Sequence, residues 1–66
     1  MRYKITWWEG TDASGIKSLA GGRYEFDVHS PKEVQKFVEN APKHYTDWQI
    51  FKMLKTVARD VTKNFV

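Results

Sequence analysis

The 66-residue chain has the length of one small domain, carries a formal net charge of +3 at pH 7 and contains no cysteine. A disulfide scaffold and thiolate chemistry are therefore excluded, and three tryptophans, three tyrosines and four phenylalanines must build the core by packing. There is no apolar run near the roughly 20 residues of a membrane-spanning helix and no signal-peptide pattern, so we expect a cytoplasmic protein without a membrane contact.

Two segments alternate between apolar and polar residues, which is the pattern of half-buried strands. They are RYKITWW (residues 2–8) and RYEFDVH (residues 23–29). All four glycines lie between these segments, so we expect an antiparallel hairpin with a long loop. The apolar rows expected to face the core are Tyr3, Ile5, Trp7, Tyr24, Phe26 and Val28.

Trp7 and Trp8 are adjacent, and neighbouring side chains of a strand point to opposite faces. The alternation places Trp7 in the core and Trp8 on the polar face, unless the strand ends or bulges at Trp8. The polar face would also bring basic and acidic side chains together across the hairpin: Arg2, Lys4, Glu25 and Asp27.

The segment HSPKEVQKFVENAP predicts a helix of about three turns. Ser30 is a suitable N-cap, Pro31 occupies the first helical position, and Glu33 completes a capping box. Pro42 ends the helix. Its apolar stripe comprises Val34, Phe37, Val38 and Ala41.

Residues 47–65 admit two interpretations. Thr46 and Gln49 repeat the capping-box pattern, and at 100° per residue the apolar side chains fall within an arc of roughly 160°. In a strand, with its period of two, adjacent apolar residues would point to opposite faces. The pattern therefore favours a second helix and an α+β fold of order ββαα. The alternative is ββαβ, with a three-stranded antiparallel sheet and one helix.

The titratable side chains indicate no catalytic, cofactor-binding or metal-binding site, and we do not expect an enzyme. His29 and His44 match no standard metal-ligand spacing. Ser30 is explained as a helix cap, and no serine lies in a nucleophile-elbow pattern.

Binding surfaces are the better candidates. On the predicted second helix a row of cations faces away from the apolar side, and an extended tail would instead distribute that row over both faces of a sheet. Two tryptophans fall outside the core pattern, and exposed tryptophans are typical of interfaces. The candidate partner-binding residues are Trp8, Trp48, Lys52, Lys55, Arg59 and Lys63.

The leading hypothesis is a non-enzymatic module that binds a protein partner. Small proteins of this kind are often modulators of host proteins encoded by phages or mobile elements. Nucleic-acid binding through the basic row is the alternative. Self-association through an open edge of the hairpin is a further hypothesis.

Overall fold

The computed structural model describes residues 2–11 and 17–66. In these residues four strands form one antiparallel sheet of order β2-β1-β3-β4, with one α-helix against it. The chain is therefore α+β with element order ββαββ, which is closer to the ββαβ alternative than to ββαα. The elements are β1 (Arg2–Thr11), β2 (Lys17–Val28), α1 (Pro31–Asn40), β3 (Thr46–Met53), β4 (Ala58–Asp60) and a C-terminal 3₁₀ turn (Thr62–Asn64).

The N-terminal hairpin is confirmed, and it is longer than the alternation predicted. β1 continues to Thr11 and β2 begins at Lys17, so most of the expected loop is strand. Gly10 has φ of +111°, and the register of the hairpin shifts between Glu9 and Thr11. Glycine adopts this backbone conformation without steric cost, and the strands can therefore continue beyond the irregularity.

The helix begins as its sequence predicts. The Ser30 hydroxyl accepts a hydrogen bond from the Glu33 backbone N–H at 3.2 Å, and the Glu33 carboxylate accepts one from the His29 backbone N–H at 3.2 Å. Pro31 is the first helical residue, and α1 ends before Pro42. Among the described residues, no helix combines the length and the apolar character needed to cross a membrane.

The centre of the core is a cross-strand pair covered by the helix. Ile5 of β1 is directly opposite Ile50 of β3, and both are fully buried together with Val34 of α1. Tyr3 and Trp7 of β1 and Val28 of β2 are also buried, as the alternation predicted. Because cross-strand partners share a face, this register fixes which side of β3 lies under α1.

The predicted second helix is wrong. Residues 46–53 form β3, residues 58–60 form β4, and a tight turn closed by the Leu54 N–H and the Val57 carbonyl at 2.9 Å joins them. Both faces of β3 carry apolar groups, since Ile50 and Trp48 lie under α1 while Phe51 is half-buried on the opposite face. A strand that is apolar on both faces loses its period of two, which explains why the helical period fitted better.

β3 begins with an irregularity centred on Asp47. Thr6 pairs with Gln49 and Trp8 pairs with Thr46, so β3 contains one residue more than β1 between these pairs. Asp47 has φ of +52°, in the left-handed region that few non-glycine residues adopt. The Arg23 guanidinium donates to the Thr6 hydroxyl at 2.9 Å and to the Asp47 carbonyl at 3.1 Å. Arg23 thereby connects β2 to the bulge across β1.

Substituting Asp47 tests whether β3 has a bulge at which Asp47 adopts a positive φ. Asp47→Val is expected to lower the free energy of unfolding by about 1–2 kcal/mol, because a β-branched residue is disfavoured at positive φ. Asp47→Asn is the matched control and should cost much less, since asparagine tolerates this region. Urea denaturation measures both values. Equal stabilities of the two variants would contradict the bulge.

Candidate functional site

Aromatic side chains form a continuous cluster on the helix side of the sheet. The Trp7 ring lies 5.1 Å from the Phe37 ring and 5.1 Å from the Tyr45 ring, measured between centroids. The Glu9 carboxylate accepts a hydrogen bond from Trp7 Nε1 at 3.0 Å. A hydrogen bond between Glu9 and the Tyr45 hydroxyl raises the pKa of that phenol, because it stabilises the protonated form.

The two candidate tryptophans are not exposed anchors. Trp48 is half-buried and packs against Trp7 at 6.0 Å and Phe37 at 6.2 Å, so it belongs to the aromatic cluster and not to a polar helix face. Trp8 lies on the opposite face of the sheet, as the alternation predicted, and is also half-buried. Its indole covers Gly21, where a Cβ atom would lie 2.9 Å from Trp8 Nε1.

The large exposed aromatic side chains lie on β2. Tyr24 is 52% exposed and Phe26 is 50% exposed, although both belong to the row that faces α1. Phe26 stacks on Phe37 with centroids 5.4 Å apart. Sequence alternation found these residues but assigned them to the core, because it does not indicate how far one helix extends over a sheet.

A groove of about 410 Å³ lies beside these residues, between β2 and α1, and we call it the β2–α1 groove. Most of the residues that line it are apolar, and the others are polar residues of α1. The apolar lining residues are Phe26, Val28, Phe37, Ala41, Pro42 and Tyr45, and the polar ones are Glu33, Lys36 and Asn40.

A second groove, of about 1030 Å³, lies where β3, β4 and the 3₁₀ turn meet, and we call it the cationic groove. Lys52 and Arg59 are directly opposite each other on β3 and β4, and both line the groove together with Lys63. The expectation that an extended tail would scatter the basic row is wrong for these three residues. Lys55 does lie apart, exposed in the turn between β3 and β4.

Asp60 also lines the cationic groove, and Thr62 hydrogen-bonds to its carboxylate. The Thr62 hydroxyl donates to Asp60 Oδ1 at 2.6 Å and the Thr62 backbone N–H donates at 2.9 Å. These hydrogen bonds lower the pKa of Asp60, with a smaller contribution from the charge of Lys63. The groove therefore has three cationic side chains and one ionised carboxylate.

The histidines do not meet. His29 and His44 are both exposed, and the His44 ring contacts Tyr45 edge-on with centroids 5.0 Å apart. In residues 2–11 and 17–66 there is no group of three histidine, aspartate or glutamate side chains that could hold a metal ion.

Comparison with known proteins adds no assignment. No protein-family model, curated protein or solved structure matches this chain. The candidate sites therefore rest on the geometry of the two grooves.

Reversing one charge of the cross-strand pair tests the placement of β4. Arg59→Glu is expected to raise the free energy of unfolding by a few tenths of a kcal/mol, because it replaces a repulsion with Lys52 by an attraction across exposed strands. Lys55→Glu also replaces a positive charge by a negative one, but in the turn, and it should change the free energy of unfolding less. Urea denaturation at low salt compares them. A destabilising Arg59→Glu substitution would contradict the pairing.

Removing the Thr62 hydroxyl tests whether its hydrogen bond lowers the pKa of Asp60. Thr62→Val is expected to raise the pKa of Asp60 toward its ordinary value, whereas Thr62→Ser keeps the donor and should leave the pKa low. Because folding lowers this pKa, the stabilisation is present at neutral pH and is lost as the pH falls through the lowered value. NMR titration of the side-chain carboxyl carbon measures the pKa. Identical titration curves for the two variants would contradict this role of Thr62.

Proposed function

We propose that this chain is a binding module, without catalytic activity of its own, that takes up an extended segment of a protein partner along β2. The observation that carries the proposal is the half-exposed pair Tyr24 and Phe26 on an edge strand beside the β2–α1 groove. Large apolar side chains exposed together on a small protein are typical of interaction sites.

The backbone of β2 supplies the first part of such a site. In the described residues β2 pairs with β1 on one side and with no strand on the other. Its outward N–H and C=O groups are therefore available to hydrogen-bond with an added strand. Strand addition of this kind gives main-chain hydrogen bonds irrespective of the partner's side chains.

The groove supplies selectivity. Alternate side chains of an added strand would point toward the α1 side, where Phe26, Phe37 and Tyr45 line an apolar depression. The intervening side chains would lie on the opposite face, beyond Glu25 and Asp27. Both carboxylates already form salt bridges, Glu25 with Lys4 at 3.6 Å and Asp27 with Arg2 at 3.8 Å. They therefore give only a weak preference for basic side chains at these positions of the partner.

The preferred partner segment is therefore extended and apolar at every second residue. That preference differs from the sequence-based hypothesis, which assigned protein binding to Trp8 and Trp48. Trp48 instead packs within the aromatic cluster, against Trp7 and Phe37. A modulator encoded by a phage or mobile element, a cytoplasmic location and the lack of enzymatic activity stay predictions.

Selection from a library of random linear peptides tests the proposal. The selected peptides are expected to alternate between apolar and polar residues and to slow hydrogen exchange at the outward amides of β2, because these amides gain hydrogen bonds. Phe26→Ser should weaken binding about tenfold or more, which corresponds to the loss of roughly 1.4 kcal/mol of apolar contact.

Val57→Ser is the matched control, because Val57 is 59% exposed in the turn between β3 and β4. It should leave peptide affinity unchanged, and circular dichroism verifies that both variants fold. Equal losses in the two variants, or protection of β4 amides in place of β2 amides, would reject the site. If β2 amides become protected at high protein concentration without peptide, the occupant of the edge is a second copy of the chain.

A further inference from the structure

We propose that the cationic groove binds single-stranded nucleic acid, a second binding function that does not depend on the β2–α1 groove. The two grooves lie on opposite sides of α1, since one is built from β2 and the other from β3, β4 and the C-terminal turn. Occupancy of one therefore leaves the other accessible.

The fold holds the three cations in one place. Lys52 and Arg59 are cross-strand partners, so their side chains leave the same face of the sheet. Lys63 is positioned by the 3₁₀ turn, which is fastened to β3: the Ile50 backbone N–H donates to the Thr62 hydroxyl at 2.9 Å. Three cationic residues from three separate segments of the chain thus line one groove.

This arrangement is electrostatically unfavourable without a ligand. Like charges directly opposite each other on neighbouring strands repel. The salt bridges in the described part of the chain, Arg2 with Asp27 and Lys4 with Glu25, are on the other face of the sheet and involve none of the three cations. The Asp60 carboxylate offsets one charge only. An anion with several negative groups would relieve the repulsion.

The uncharged lining indicates which anion fits. Trp48 and Phe65, both half-buried, lie in the wall of the groove, and Asn64, which is exposed, also lines it. Trp48 lies about 13 Å along β3 from Lys52, on the same face. A groove lined by both aromatic and cationic residues suits a ligand that carries bases as well as phosphates, because bases stack on aromatic rings and hydrogen-bond to amides.

The concave shape favours a single strand over a duplex. A protein reads duplex DNA by inserting a projecting helix or ribbon into the major groove. Here the cations line an open depression of about 1030 Å³ that the sheet and the C-terminal turn form, with Pro31 of α1 at its border. A flexible strand can enter such a depression, whereas the convex surface of a duplex meets only its rim.

Fluorescence anisotropy with a labelled oligothymidylate tests the proposal. The intact chain is expected to bind with an affinity that falls steeply with salt. In the double variant Lys52→Gln/Arg59→Gln the affinity at about 0.1 M salt should fall about tenfold or more. The slope of log affinity against log salt should become shallower by about 1.4, since each contacted phosphate of a single strand contributes about 0.7.

The matched control is Lys43→Gln/Lys55→Gln, which removes two charges from exposed positions outside the groove. Its affinity should stay within about threefold of the intact chain, because distant exposed charges are largely screened. Phe26→Ser should bind oligothymidylate normally, which separates this proposal from peptide binding on β2.

Three results would overturn the proposal. The first is an equal loss of affinity in the two double variants, which would indicate attraction by net charge alone. The second is binding of inorganic polyphosphate as tight as that of oligothymidylate, which would exclude recognition of bases. The third is equal affinity for a duplex of the same length, which would reject the preference for a single strand.

Discussion

The structure depends on one short helix that has to cover one face of a four-stranded sheet. α1 has ten residues, so it is about 15 Å long and about 10 Å wide with its side chains. The outer strands of such a sheet lie about 14 Å apart. The helix rests over β1, where Val34 closes the pair Ile5 and Ile50, and it cannot extend fully over both outer strands.

Both candidate surfaces follow from this mismatch. On the β2 side the uncovered row is aromatic, so Tyr24 and Phe26 are half-exposed beside a small apolar groove. On the β4 side the uncovered positions are Lys52 and Arg59, which makes the second groove cationic. Because the helix is narrower than the sheet, one uncovered side of the sheet is apolar and the other is positively charged. The two sides suit ligands of different chemistry.

Much of the N-terminal half was predictable because local rules govern it. Alternation identified the hairpin and separated Trp7 from Trp8, and the cap of Ser30 and Glu33 marked the start of the helix. The tail was predicted wrongly because its periodicity was read as that of an isolated amphipathic helix. In the sheet, β3 lies between β1 and β4, and Phe51 and Ile50 are needed on opposite faces. Tertiary packing here overrides the local pattern.

The candidate site shows the same division. Lys52, Arg59 and Lys63 were recognised as a basic group from the sequence, but the reason they meet is the register of β3 with β4 and the 3₁₀ turn, not a helix face. By itself, the sequence determined the hairpin, the capped helix and the inventory of aromatic and cationic side chains, since these follow from alternation, capping and composition. Only the tertiary structure decided which side chains the helix leaves uncovered, because that depends on strand order and on the width of the sheet relative to the helix.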